Sequence, residues 1–167
     1  KALYPFNSIN FRNLVPACHH CNSSYKTSKD PAYKPKDPAR AIQRRVVFYP
    51  FKQAAQSNEL HITLQHPDIA ELTPADIVLH FGPAAVAEEI ETWKDVYGIE
   101  ERYKAKFCAE NDGKYWLTQV LDEWKEDGRD PADFMTTLAR QVQKNPYAEC
   151  NFLKKPFLDA CQQVGAF

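Results

Sequence analysis

Residues 59–65 alternate with a period of two: Leu60, Ile62 and Leu64 fall on one face, Glu59, His61, Thr63 and Gln65 on the other. That alternation predicts a half-buried strand. Residues 76–81 (DIVLHF) make a second strand candidate, stopped by Gly82 and Pro83, and residues 44–51 (RRVVFYPF) a third, which Pro50 ends or confines to an edge. No crossover helix separates them, so they predict a small antiparallel sheet. From residue 84 the period lengthens to that of a helix. Val86, Ile90, Trp93 and Tyr97 form one stripe that closes at Gly98, and Ile99, Tyr103 and Phe107 follow at four-residue intervals. Trp116, Leu117, Val120, Leu121 and Trp124 mark a further helix. Asp130 and Pro131 open another as cap and first-turn proline, and residues 150–167 predict a last one whose start Pro156 limits. The expected fold class is α+β, a small sheet followed by a mainly helical body.

Before residue 41 no such periodicity exists. Residues 1–12 are aromatic and irregular, and Pro16 blocks a helix through its own position. A helix can begin near Cys21 or Asn22, Asn being a good N-cap. Residues 27–40 hold three prolines and read as a linker or surface loop. The chain therefore divides into a head, residues 1–40, and a body, residues 41–167, that contains the sheet and the helices.

Composition narrows the picture. With 44% apolar and 13% aromatic residues in 167, the chain can bury a real core, which excludes wholesale disorder. No run approaches the roughly 18 apolar residues of a membrane span, so no membrane partner is expected. No signal peptide is visible, although a chain that opens at Lys1 leaves an upstream segment open. The net charge of −1 hides an asymmetry. Residues 1–52 hold ten Lys and Arg against Asp30 and Asp37, a charge of +8, which leaves −9 for the remainder. A basic head suits an anionic partner such as a phosphate backbone; the plainer reading is a solvated surface offset by the body.

Five cysteines stand at 18, 21, 108, 150 and 161. The odd count and the single close pair argue against a disulfide framework. Cys108, Cys150 and Cys161 read as buried free thiols, which fits a reducing, cytoplasmic setting. Cys18 and Cys21 form a C-x2-C knuckle that can supply half of a tetrahedral zinc site, with two ligands still to come from elsewhere. Incidental cysteines and a redox dithiol remain the alternatives on spacing alone. His19 and His20 lie inside the same turn and read as exposed turn histidines, with contact to substrate or metal as the other possibility.

The segment YPFNSINFRNLVPACHHCNSSYK resembles the core of the HNH nuclease family, in its cysteine-bearing bacterial form. Asn13-Leu14, Cys18, Cys21 and Asn22 match that family's pattern in order and spacing, Lys26 matches a basic position on the following helix, and Tyr4-Pro5 matches the pair that follows an Asp-His dipeptide. The resemblance implies a ββα head that clasps one catalytic divalent ion, here truncated. Asn13 would tie the hairpin together and hold the base in place, and Asn22 would lend an amide oxygen to the metal. Cys18 and Cys21 would be half of a structural zinc site. The general-base His, its Asp neighbour and the second cysteine pair are expected a few residues before Lys1. A weaker likeness to such proteins continues through WKDVYGIEERYKAKF.

The function this implies is metal-dependent hydrolysis of phosphodiester bonds, with DNA as substrate, Mg²⁺ or a similar ion as catalytic cofactor and Zn²⁺ as structural ion. Lys26, Lys29, Lys34 and Lys36 are the candidate contacts to phosphates. The acidic helical body is a candidate surface for a protein partner or an oligomer, and defence against foreign DNA is a role offered by family analogy. The alternative is a non-catalytic zinc-knuckle module that binds nucleic acid or serves an assembly. The aromatic residues Trp93, Tyr97, Tyr103, Trp116 and Trp124 follow helical spacing and are expected in the core rather than on a base-stacking surface.

Overall fold

Two strands pair as the alternation requires. The computed structural model describes residues 19–48, 59–109, 113–114, 122, 124, 126–146 and 148–166. Strand β1 (Glu59–Leu64) runs antiparallel to β2 (Ile77–Gly82), with Leu60 opposite Phe81, Ile62 opposite Leu79 and Leu64 opposite Ile77. Those apolar pairs face inward, whereas Glu59, His61, Thr63, Val78 and His80 are exposed. The chain between the strands is set by a capping box. Asp76 Oδ2 accepts from the Thr73 backbone N–H at 2.9 Å and from its hydroxyl at 2.5 Å, fixing the short 3-10 turn Pro74–Asp76 that feeds β2.

Among the described residues the third expected strand is not formed. Among the described residues 44–48 there is one isolated antiparallel bridge, between Tyr33 and Arg44. Val46 and Val47 are both largely exposed, and Phe48 packs edge-on against Trp93 at 5.9 Å. A β-branched run forms a strand only where a partner ladder and a buried face are available, and among the described residues Val46 and Val47 have neither. Residues 49–51 of that candidate lie outside the described residues.

Helix α1 (Ala87–Tyr97) follows a single 3-10 turn at Ala84–Val86 and stops at Gly98 in the left-handed conformation, φ 58°, where the Gly98 N–H donates to Lys94 O at 3.0 Å. Helix α2 (Ile99–Cys108) buries Phe107, and helix α3 (Pro131–Lys144) is capped by Asp130, whose side chain accepts from the Ala132 N–H at 2.9 Å. Helix α4 (Asn151–Gln163) differs from expectation, because Pro156 lies in its second turn rather than at its start. A proline there forfeits one backbone hydrogen bond, at a cost of about 3 kcal/mol. The full burial of Leu153, Phe157, Leu158 and Cys161 on one face of α4 offsets it. Of the expected helix around Trp116–Trp124, Trp116, Leu117, Val120 and Leu121 lie outside the described residues. Trp124 is buried and packs 4.6 Å from Phe134.

The chain divides into two compact units, Lys1–Ser57 with Pro83–Gly98, and Asn58–Gly82 with Ile99–Phe167. The division differs from a cut at residue 40, because α1 packs on the His20–Lys26 helix and belongs with the head. The second unit has α4 packed against β1 and against α3. Its core joins Ile62, Leu64, Leu72, Ile77 and Leu79 to Phe107, Leu138, Phe157 and Leu158, with the rings of Phe107 and Phe157 stacked at 4.8 Å. Tyr103 sits half-buried at its rim against Phe152. In the first unit Val86, Ile90, Thr92 and Val96 are buried, and Trp93 and Tyr97 are half-buried. The aromatic residues described thus serve packing, as their spacing predicts.

Gly98 has a second constraint besides its backbone angle. A Cβ at this position would lie 2.5 Å from Cδ1 of Tyr25, so the end of α1 meets the His20–Lys26 helix at a distance only glycine permits. Gly98→Ala is expected to destabilise the first unit by about 2 kcal/mol. Urea titration followed by Trp fluorescence would measure the loss, and an unchanged midpoint would show that Tyr25 moves aside at no cost.

Candidate functional site

Two stretches of the first unit carry the residues singled out by the sequence. The first is the helix His20–Lys26, a π-helix in which the Thr27 N–H reaches back five residues to Asn22 O at 3.2 Å. It starts earlier than expected. His19 stands at the N-cap position without a side-chain hydrogen bond, so Asn22 lies within the first turn and is not the cap. Thr27, a β-branched residue at φ 43°, ends the helix. Asn22 and His19 are exposed, and Cys21 and Lys26 half-buried. Burial, and then the electrostatic effect of Cys21, push the Tyr97 phenol up.

The second stretch, residues 30–45, is folded into a clasp. Asp30 Oδ1 accepts from the Ala32 N–H at 2.8 Å and turns the chain at Pro31, and Asp37 does the same for Ala39 at 2.9 Å near the tip. Around the Tyr33–Arg44 bridge, the Lys34 N–H donates to Gln43 O at 3.0 Å and the Arg45 N–H to Ala32 O at 2.8 Å. The stretch that reads as a linker or surface loop is a closed, hairpin-like surface loop. The Arg45 side chain is only 5% exposed. Its Nε donates to Tyr33 O at 3.0 Å and its Nη2 lies 2.5 Å from Asp95 Oδ2 on α1. Lys29 Nζ donates to the Asp95 carbonyl at 2.5 Å and stands 3.6 Å from Oδ1. One residue of α1 thus ties down both ends of the clasp.

The clasp encloses an open groove of about 940 Å³ on whose wall Lys34, Lys36, Arg44 and Tyr33 stand. The Arg44 guanidinium lies 5.9 Å from the centroid of the Tyr33 ring, a cation held against an aromatic face. Lys34 and Lys36 are exposed, and Ile42, at 73% exposure, adds an apolar element to the same wall. Of the four lysines expected to meet phosphate, Lys34 and Lys36 come together here. Lys29 also lines the groove but is engaged by Asp95, and Lys26 does not line it. Sequence reasoning missed Arg44, for which the Arg44-Arg45 doublet is the available signal. It also missed Asp95, which nothing near it in the sequence marks.

Asn13 and Cys18 lie outside the described residues. Among the described residues no three His, Cys, Asp or Glu side chains are grouped to hold a metal ion. Cys21 is a half-buried thiol suited to Zn²⁺ and Asn22 an exposed amide suited to a hard ion, and each would need donors from outside the described residues. Cys108, Cys150 and Cys161 form no disulfide, and only Cys161 is fully buried; Cys108 and Cys150 are half-buried. Burial pushes the Cys161 thiol up to about 12, which keeps it protonated and inert at neutral pH. No helix among the described residues is long and apolar enough to cross a membrane. No family model, curated protein or solved structure matches this chain.

Burial alone would raise the Asp95 carboxyl, but the hydrogen bond and charge of Arg45, joined by Lys29, more than offset it and hold the group below the ordinary carboxylate value. A carboxylate lowered on folding stabilises the native state above its unfolded pKa and loses that contribution as pH falls through the folded value. Asp95→Ala is expected to cost about 1–3 kcal/mol at pH 7, because it strips a buried guanidinium of its charged partner. The difference between the two proteins should be constant above about pH 5 and shrink below about pH 3.9. Urea titrations across that range check both parts, and a pH-independent difference would exclude the ion pair as its source.

Proposed function

We propose that this chain contains the metal-binding half of an HNH endonuclease core that hydrolyses phosphodiester bonds in DNA. The observation that carries the reading is the order Asn13-Leu14, Cys18-x2-Cys21, Asn22 and Lys26, followed at once by a clasp that gathers Lys34, Lys36 and Arg44 round one groove. Phosphodiester hydrolysis requires a deprotonated water, a cation beside the phosphate, and relief of charge on the leaving oxygen. Asn22 would offer its amide oxygen to Mg²⁺, and its exposure in the first helical turn supports access by ion and substrate. Asn13 would position the base, which the resemblance expects upstream. Cys18 and Cys21 would hold Zn²⁺ with the upstream donors. The groove would bind phosphates flanking the cut. Free thiols agree with a reducing cytoplasm, and the acidic helices are the surface proposed for a protein partner or a second copy.

In the full-length protein, Asn22→Ala is expected to reduce Mg²⁺-dependent nicking of supercoiled plasmid about 100-fold or more while far-UV circular dichroism stays unchanged. Unaltered nicking would remove Asn22 from the metal site. Cys18→Ser should release Zn²⁺ and lower the melting temperature of the head, and metal analysis finding no zinc in the wild type would sink that assignment. Replacing Lys34, Lys36 or Arg44 by Ala should each lower the slope of log affinity against log salt by about 0.9 for duplex DNA. DNA binding with retained zinc but without cutting would return the chain to the zinc-knuckle alternative.

A further inference from the structure

We propose a second metal site, formed by His61 and His80 on the solvent face of the β1–β2 ladder, that takes a divalent ion of borderline softness such as Zn²⁺ through two imidazole nitrogens. The two histidines are direct register partners. Residues directly opposite each other on an antiparallel pair project from the same face with Cβ atoms roughly 4.5–5.5 Å apart. Imidazoles at that spacing can meet one ion at the about 2.0–2.1 Å of a Zn–N bond. Both side chains are exposed, so ligation requires no opening of the core, while Ile62 and Leu79 are buried behind the ladder and hold its register. Thr63 Oγ1 lies 3.2 Å from His80 Nε2. With Nε2–H donating to that hydroxyl, the lone pair of His80 resides on Nδ1, and Thr63 acts as a positioning residue for the ring. The neighbouring rows pair Thr63 with Val78 and Glu59 with Gly82, so the flanking groups are neutral or acidic and none repels a cation. The remaining positions on the ion are left to water. The site lies in the second unit and does not depend on the nuclease reading.

The test uses the full-length protein titrated with Zn²⁺ alone and observed through the imidazole ¹⁵N resonances. The His61 and His80 rings are expected to shift together and to saturate together. His61→Gln or His80→Gln should weaken that event about tenfold or more with the melting temperature unchanged, since both residues are exposed. Thr63→Val should weaken it several-fold and alter the tautomer signature of His80; an unaltered signature would remove Thr63 from the site. Zinc held by Cys18 and Cys21 leaves both ring signals in place, so the two sites are told apart. Rings that stay unshifted through the titration, or a His61→Gln protein in which His80 responds at wild-type affinity, would overturn the proposal.

Discussion

A guanidinium taken out of water must be met by charge and by hydrogen-bond acceptors, and that demand organises the first unit. Arg45 is met by the Asp95 carboxylate and the Tyr33 carbonyl, and its own N–H closes the loop onto Ala32. Two of these contacts close the clasp on itself and the third ties it to α1, and releasing the guanidinium from its partners strands a buried polar group. Lys29 adds a second tie to the same turn of helix. A stretch with three prolines and little apolar content is shaped by the Asp30 and Asp37 turns and the Tyr33–Arg44 bridge, and the Arg45–Asp95 ion pair ties it to α1.

The consequence for chemistry is positional. With Arg45 turned in, its neighbour Arg44 is turned out over the Tyr33 ring, and Lys34 and Lys36 are carried to the same wall. The basic charge of the head is thus divided between cations spent on structure, Arg45 and Lys29, and cations presented to solvent. An acidic residue of α1 neutralises the first kind without covering the second. The groove that results gathers Lys34, Lys36 and Arg44, and it lies in the same unit as the helix that bears Cys21 and Asn22.

The second unit follows a different logic, that of area buried by a two-faced ladder. Its inner face gathers Leu60, Ile62, Leu64, Ile77 and Leu79 under α4, and the favourable burial tolerates both a proline inside that helix and Cys150 in the left-handed region at its start. Its outer face carries Glu59, Thr63 and Val78 and two histidines in register. Strand alternation separates these faces so cleanly that His61 alternates with Leu60, Ile62 and Leu64 in β1, and His80 alternates with Ile77 and Leu79 in β2.

Local periodicity and end signals determined a good part of this protein unaided. The alternation at 59–64, the Gly98 stop, the Asp130-Pro131 start and the packing role of Trp93, Tyr103 and Trp124 were all legible, because each depends on residues a few positions apart. The basic balance of the head was legible as well. Tertiary structure alone decided the rest. It left residues 44–48 without a partner strand among the described residues, continued α4 through Pro156, began the His20–Lys26 helix before Asn22 and folded the 30–45 loop on Asp95. Each of these outcomes turns on a partner about 50 residues away or on a buried face, and neither the desolvation of Arg45 nor the area gained by Phe157 can be read from the residues beside them.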